Sequence, residues 1–128
     1  MQMRIAIIGT GALGSLFAAK LFPYCEVYMV GSWMDAINNI NNHGLRIEHQ
    51  SIEEIVPVKA YNKSAGLPNA DCVLILVKSW QTDSAGLVAA NLVSDIGRVV
   101  TLQNGLGNIE KLSNQIMSDK LVSGVTTQ

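Results

Sequence analysis

Residues 4–21 read RIAIIGTGALGSLFAAKL. The run from Ile5 to Ile8 is apolar without alternation, which is typical of a strand buried on both faces of a parallel sheet. Gly9 to Gly14 then match the pattern G-x-G-x-x-G, and apolar side chains at helical spacing follow as far as Pro23. The glycine pattern alone is weak evidence for a nucleotide site. It becomes stronger evidence here because it follows a buried strand and opens an amphipathic helix.

Each glycine of this loop has its own predicted role. Gly9 permits a tight turn from strand to helix, Gly11 lets the backbone approach a pyrophosphate, and Gly14 lets the helix lie close to the strand. The residues between them are Thr10, Ala12 and Leu13. The helix N-terminus adds unpaired N–H groups and a partial positive charge. We therefore predict that residues 9–14 bind the phosphates of a dinucleotide; the alternative is a structural turn that binds nothing.

The rest of the chain continues to alternate between predicted strands and helices. Further strands are predicted at 27–30, 72–77, 99–102 and from 121, with helices between them. This alternation predicts an α/β fold of the Rossmann type, a doubly wound and mostly parallel sheet with helices on both faces. We expect a single dinucleotide-binding domain over residues 1–128.

Two regions of this alternation carry more detailed predictions. Ser32 is predicted to cap the second helix, because Asp35 three residues later completes a capping-box pattern. Gly44 fits the end of that helix, and its inward-facing residues are predicted to be Trp33, Ile37 and Ile40. Residues 45–48 and 56–60 alternate apolar residues with polar ones or proline, which predicts two short strands, as a hairpin at a sheet edge where Pro57 is tolerated.

Composition excludes several classes of protein. The 128 residues are 48% hydrophobic and 15% charged, with a formal net charge of -1, so we expect a folded domain without a basic surface for nucleic acid or an anionic membrane. No apolar run approaches the length of a membrane span. Cys25 and Cys72 lie in apolar runs and are interpreted as small buried hydrophobes in a reducing compartment, not as a disulfide or metal site. We expect a cytoplasmic protein.

The end of the second predicted strand bears on the choice of nucleotide. It reads VGSW at residues 30–33, without the carboxylate that usually binds the ribose 2′-hydroxyl of NAD. No lysine or arginine stands there for the 2′-phosphate of NADP, although the Ser32 hydroxyl can donate to a phosphate. The sequence favours NADP (NADPH) modestly and leaves NAD open.

Two later motifs follow predicted strands, where ligands bind in doubly wound sheets. Lys78 comes directly after one strand and can contact a ribose or a substrate; the alternative is a solvated surface lysine. Asn104 stands before Gly105 after the next strand, and its carboxamide can both donate and accept hydrogen bonds. The alternative there is an ordinary turn, with Asn108 capping the following helix.

The blocks IAIIGTGALGSLFAAKL, VKSWQT, LQNGLGN and SGVTT strongly resemble, in order and spacing, the N-terminal domain of the ketopantoate reductases (2-dehydropantoate 2-reductases). The resemblance implies reduction of 2-dehydropantoate, a keto acid, to pantoate with NADPH, in pantothenate and coenzyme A biosynthesis. By position it assigns Lys78 and Asn104 to the nicotinamide end and the substrate, and Thr126 and Thr127 to a stretch that closes the cofactor site. Ser32 stands where the family commonly has an arginine for the 2′-phosphate.

The resemblance also implies a second, mostly helical domain, which in this family supplies a general-acid lysine. That lysine would lie beyond Gln128, so we expect no catalytic residue within these residues and no turnover by them alone. His43 and His49, near the helix end and the edge strands, are not credible replacements. The apolar surface that a second domain covers predicts a tendency to form a homodimer.

Other functions remain open from the sequence. One alternative is the cofactor domain of another 2-keto acid dehydrogenase or an opine-type dehydrogenase, which fits the glycine loop equally and LQNGLGN less well. A second alternative is a non-catalytic module that senses NAD(P).

Overall fold

The structure, a computed structural model, describes residues 2–77, 82–102 and 108–123. Its strands are β1 Arg4–Ile8, β2 Glu26–Val30, β3 Leu45–His49, β4 Ile52–Val56, β5 Lys59–Tyr61, β6 Ala70–Ile75, β7 Val93–Thr101 and β8 Leu121–Ser123. Its helices are α1 Ala12–Leu21, α2 Met34–His43, α3 Thr82–Leu92 and α4 Asn108–Ser113.

Six parallel strands form the main sheet in the order β5-β2-β1-β6-β7-β8. With the β3–β4 pair set aside, this is the strand order 3-2-1-4-5-6 of a doubly wound nucleotide-binding fold. The predicted fold class is therefore confirmed. The strand order reverses between β1 and β6, so the carboxyl ends of these two strands flank the position where such sheets bind their ligands.

The core consists of two apolar layers, one on each face of the sheet. Alternate residues of β1 point into opposite layers: Ile5 and Ile7 pack with α1 and α2, whereas Ala6 and Ile8 pack with α3 and α4. All four are buried. The uninterrupted apolar run of β1 thus reflects burial on both sides, as predicted.

The prediction for residues 45–60 was partly wrong. Strands β3 and β4 pair antiparallel with each other in a separate two-stranded sheet and do not extend the main sheet. The predicted strand 56–60 is divided at Pro57: Val56 ends β4, and residues 59–61 form β5, parallel to β2 at the edge of the main sheet. Proline has no N–H for the ladder, so the chain leaves one sheet at this residue and enters the other.

Helix α2 also closes the open edge of the main sheet. The Asn41 side chain donates from Nδ2 to the Ala60 carbonyl at 2.8 Å, and its Oδ1 accepts from the Ala60 N–H at 2.8 Å. Ala60 is the middle residue of β5 and is buried. One amide side chain therefore takes the hydrogen-bonding place that a further strand would occupy.

The predicted start of α2 was wrong by one residue. Gly31 still donates its N–H to the Tyr61 carbonyl at 2.9 Å, so the chain leaves the sheet later than expected. Trp33 occupies the N-cap position, with no side-chain cap hydrogen bond, and is 62% exposed rather than turned inward. Ile37 and Ile40 are buried, and Gly44, with φ +80°, ends the helix, as predicted.

The two cysteines are free thiols that lie partly buried against the core. Burial raises the pKa of the Cys72 thiol, and the neighbouring Cys25 and Asp71 raise it further. Cys72 is therefore protonated at neutral pH and packs as an apolar side chain.

Tyr28 is expected to make the domain less stable at alkaline pH. Its ring is buried on β2, and its hydroxyl donates to the Pro68 carbonyl at 2.6 Å. Burial raises the pKa of Tyr28 to about 12, against a partial lowering by Arg4 and with smaller raising contributions from Glu26 and Tyr61. Because a tyrosine in the unfolded chain titrates near pH 10, the folded chain keeps a proton that the unfolded chain loses, and the free energy of unfolding falls as pH rises between these values.

This effect can be measured by urea unfolding at pH 7, 9 and 11. At pH 7, the free energy of unfolding of Tyr28→Phe should be about 1 kcal/mol below that of the wild type, because the hydrogen bond is lost. From pH 9 to pH 11, the free energy of unfolding should fall by about 1 kcal/mol less in Tyr28→Phe than in the wild type. Tyr24→Phe is the control, because Tyr24 is 77% exposed. Equal alkaline losses in wild type and Tyr28→Phe would contradict the assignment.

Candidate functional site

The glycine loop lies at the carboxyl end of β1, in the middle of the parallel sheet. The Gly9 N–H donates to the Val30 carbonyl at the end of β2 at 2.8 Å. The Leu76 N–H, just past β6, donates to the Ile8 carbonyl at 2.9 Å. These bonds join the ends of three strands beneath the loop and fix it where the strand order reverses.

The fold itself requires two of the three glycines. Gly9 has φ +128°, and a Cβ there would lie 2.9 Å from the Leu76 carbonyl oxygen. A Cβ on Gly14 would overlap the Gly9 carbonyl oxygen, because α1 passes directly over the turn. Gly9 and Gly14 therefore have the structural roles predicted for them: a tight turn and a close approach of helix to strand.

Gly11 differs from the other two. It is exposed, its backbone is extended with φ −79° and ψ −167°, and a Cβ built there meets nothing within 4 Å. Any residue can adopt this conformation. Within the described part of the chain, neither packing nor backbone geometry requires glycine at this position.

The N-terminus of α1 is left open to an anion. Gly11 occupies the N-cap position without a side-chain cap, and the first turn contains no acidic residue. The Ser15 N–H donates to the Gly11 carbonyl at 2.9 Å, as the first bond of the helix. The earlier N–H groups of the turn have no acceptor within the helix, and the first turn has no acidic side chain to offset the positive end of the helix dipole.

A cavity of about 410 Å³ lies on the α3 side of this loop, and we call it the α3-side cavity. Apolar residues make up most of its lining, namely Ile8, Val30, Val77, Ala85 and Val88. Gly31 and three polar side chains complete it: Ser32, Asn62 and Ser84. An apolar cleft with a few polar groups is typical of a small-molecule site.

A second cavity of about 540 Å³, the α2-side cavity, lies between α1, α2 and β3. Its lining includes Thr10, Ser15, Trp33, Asp35, Asn39 and Arg46. A Cβ on Gly31 would lie 2.8 Å from Thr10 Cγ2, so the Thr10 side chain rests directly on the Gly31 backbone. Thr10 lines the α2-side cavity and Gly31 the α3-side cavity, and their contact separates the two.

The structure brings the first group of predicted site residues together. Gly9 to Gly11 form the turn after β1, and Ala12 to Gly14 begin α1, with Ala12 exposed and Leu13 half-buried against the core. Ser32 stands exposed at the rim of the α3-side cavity. The predicted residues Lys78, Asn104, Thr126 and Thr127 lie outside the described residues. His43 is exposed at the last position of α2, and His49 is the last residue of β3.

Sequence reasoning missed Asn62, Ser84 and Arg46. Asn62 directly follows β5, and polar residues just past the carboxyl ends of parallel strands are the usual ligand-binding positions. That signal was lost because residues 59–61 were not recognised as a strand of their own. Arg46 was assigned to an edge strand, and no local pattern indicates that it lines a cavity beside the glycine loop.

Two further features of the described residues bear on function. In the part of the chain that the structure describes, no three histidine, cysteine, aspartate or glutamate side chains are grouped to hold a metal ion. Within the same residues, no helix combines the length and the apolar character needed to cross a membrane.

Comparison with protein-family models matches residues 5–128 to the family described as Ketopantoate reductase PanE/ApbA. Among curated proteins, the 2-dehydropantoate 2-reductase of Pyrococcus horikoshii is 35% identical, and the match covers 98% of this chain and 40% of that protein. Curated relatives matched at similar identity are covered to 39% and 42%, so the chain spans about two fifths of their length.

Solved structures also match this chain over about two fifths of their own length. A PanE/ApbA family ketopantoate reductase from Ralstonia eutropha JMP134 matches with a TM-score of 0.80 and 32% identity, covering 94% of this chain and 40% of that one. A D-mandelate dehydrogenase, solved with NADH and anilino(oxo)acetate, matches with a TM-score of 0.90 and 24% identity, covering 96% and 40%. At that identity the second match shows a shared fold.

Proposed function

The chain belongs to the ketopantoate reductase PanE/ApbA family, a family of oxidoreductases, and we propose that residues 1–128 are the NADP(H)-binding domain of a 2-dehydropantoate 2-reductase. The reaction would reduce 2-dehydropantoate to pantoate, a step towards pantothenate and coenzyme A. One observation carries the proposal: a Cβ on Gly11 would meet nothing within 4 Å among the described residues, and Gly11 lies at an α1 N-terminus with no side-chain cap and no acidic residue in the first turn. A pyrophosphate needs both this bare backbone and this positive helix end.

The two halves of the nucleotide are proposed to lie on either side of this loop. The adenine would occupy the α3-side cavity, where Val30 and Val88 offer apolar surface. Asn62 and Ser84 offer hydrogen-bonding groups at its rim. The adenosine ribose would then lie at Gly31 and Ser32, next to the end of β2.

The nicotinamide supplies a hydride when the cofactor is bound, and the chain's part is to hold and orient it. We propose that Lys78 and Asn104 bind the nicotinamide end and the keto acid, and that Thr126 closes the site, as the family resemblance implies. The acid that protonates the new alkoxide is proposed to lie outside residues 1–128, since the resemblance assigns it to a lysine of a second domain.

Calorimetric titration of the purified 128-residue chain with NADPH and with NADH tests the proposal. We expect saturable one-to-one binding of NADPH, and binding of NADH that is weaker or absent. If the chain binds neither NADPH nor NADH, the proposed function is wrong. Adenosine alone serves as a reference for the contribution of the phosphates.

A turnover assay tests the second part of the proposal. The chain, NADPH and 2-dehydropantoate are mixed and NADPH oxidation is followed by absorbance, with 2-oxobutanoate and phenylglyoxylate as alternative 2-keto acids. No oxidation above the buffer rate is expected from the 128-residue chain. Steady turnover of 2-dehydropantoate by this chain would show that a general acid lies within it.

A further inference from the structure

The α2-side cavity contains a positive charge, that of Arg46, beside the glycine loop. The residues that follow β2 are Gly31, Ser32 and Trp33, so the strand end itself carries no cation. Among the described residues that line the two cavities beside the loop, Arg46 is the only lysine or arginine. The cavity that Arg46 lines is also lined by Trp33, which stands three residues past the end of β2.

The backbone of β3 holds Arg46 in place. Leu45, the preceding residue, is buried in the core at the start of the strand. Arg46 pairs in register with Ile55 of β4, and its side chain lines the cavity together with Thr10 of the glycine loop and Trp33. Because side chains alternate along a strand, burial of Leu45 directs Arg46 away from the core.

The ion pair that Arg46 makes with Glu53 is weak. The Arg46 Nε lies 3.3 Å from Glu53 Oε1, and both side chains are more than half exposed. Exposed pairs of this kind contribute little to stability, so a phosphate can replace Glu53 at little cost. The guanidinium group suits phosphate because its parallel N–H groups can donate to two oxygens at once.

We propose that Arg46 binds the 2′-phosphate of NADPH at the α2-side cavity and thereby sets the preference for NADPH over NADH. This inference rests on the proposed function. The contact of Thr10 with Gly31 separates the two cavities, so a nucleoside with its base in the α3-side cavity has its ribose at the boundary. A 2′-phosphate on that ribose would then lie next to the α2-side cavity, which Arg46 lines.

Two other residues of the cavity modify this interaction. The exposed Trp33 indole provides a flat surface on which a guanidinium group can stack while it contacts a phosphate. Asp35 lines the same cavity, and its negative charge opposes a bound phosphate. The preference for NADPH should therefore be moderate, and removal of the Asp35 charge should increase it.

The test compares the dissociation constants of NADPH and NADH, measured by calorimetry, for the wild type and for variants of the cavity. Arg46→Gln should weaken NADPH by about tenfold to a hundredfold, as expected for loss of a charge-assisted contact, and change NADH less than about twofold. Arg46→Lys should retain part of the preference, and Asp35→Asn should strengthen NADPH alone. Lys20→Ala is the control, since it removes one positive charge at the last turn of α1 and should change neither constant.

The outcomes separate this inference from the proposed function. Binding of neither nucleotide by the wild type overturns both. If the wild type binds NADPH but Arg46→Gln weakens NADPH and NADH equally, or weakens neither, the role of Arg46 is wrong and the proposed function stands. Urea unfolding of each variant checks that it is folded. If Arg46→Gln does not fold, the test rests on the other two variants: Arg46→Lys has to lower the ratio of NADPH affinity to NADH affinity, and Asp35→Asn has to raise it.

Discussion

Gly11→Val is expected to abolish NADPH binding, with a loss of more than about a hundredfold, while the domain stays folded. The valine side chain would stand where the pyrophosphate has to approach the backbone. Strain within the protein should be small, because a Cβ at this position has no neighbour within 4 Å among the described residues and the backbone is already extended. The free energy of unfolding should fall by no more than about 1 kcal/mol, the difference between glycine and a poor N-cap residue.

Calorimetry with NADPH and NADH, together with urea unfolding, measures both halves of this prediction. The smaller Gly11→Ala substitution should give an intermediate loss of binding with the same stability. Full NADPH affinity in Gly11→Val would show that the loop does not hold the pyrophosphate. A large drop in stability would instead show that Gly11 has a packing role.

Gly14→Ala is expected to have the opposite effect: a large loss of stability. The new methyl group would overlap the Gly9 carbonyl oxygen, which is backbone and cannot swing aside. Helix α1 would have to move off the end of β1, against the packing of Ala18 and Ala19 in the core. We expect the free energy of unfolding to fall by about 3 kcal/mol, or about 2 M in the urea midpoint, despite the higher helix propensity of alanine.

Gly86→Ala in α3 is the matched control. It too places a methyl group on a buried helical glycine, but the nearest atom is Gln115 Oε1, at 2.9 Å, on a flexible side chain. That side chain can rotate away, and the buried Leu112 Cδ2 at 3.3 Å has to give by only a few tenths of an ångström. Alanine favours the helix by about 1 kcal/mol, so stability should change by less than about 1 kcal/mol in either direction. Equal losses in Gly14→Ala and Gly86→Ala would mean that any added methyl group in these helices is harmful.

Local pattern was sufficient to predict the centre of the fold. The uninterrupted apolar run of β1 and the glycines after it are properties of neighbouring residues, and they fixed the strand, the turn and α1. The alternation of strands and helices then predicted the parallel sheet. Confirmation of the roles of Gly9 and Gly14 shows how much of a tight strand-to-helix turn is determined by close backbone contacts alone.

The errors came from contacts between distant segments. Whether Val56 and Ala60 belong to one strand depends on which sheet has a free edge, and β5 finds its partner in β2, some thirty residues earlier. The hydrogen bond from the Gly31 N–H to the Tyr61 carbonyl keeps Gly31 in the sheet. Helix α2 therefore starts one residue later than predicted, and Trp33 takes the N-cap position instead of Ser32. Asn62 and Arg46 became site candidates only because these tertiary contacts place them beside the loop.

The amide of Asn41 on Ala60 has a consequence for how the molecule behaves among its own copies. A parallel sheet that ends in an unpaired strand is a template for extended segments of other chains. Here the middle of the three-residue strand β5 is already engaged, so an incoming segment would first have to displace two hydrogen bonds of 2.8 Å made within the same chain. We therefore expect Asn41 to disfavour pairing of β5 with strands of other chains. The same helix, α2, also lines the α2-side cavity of the proposed cofactor site.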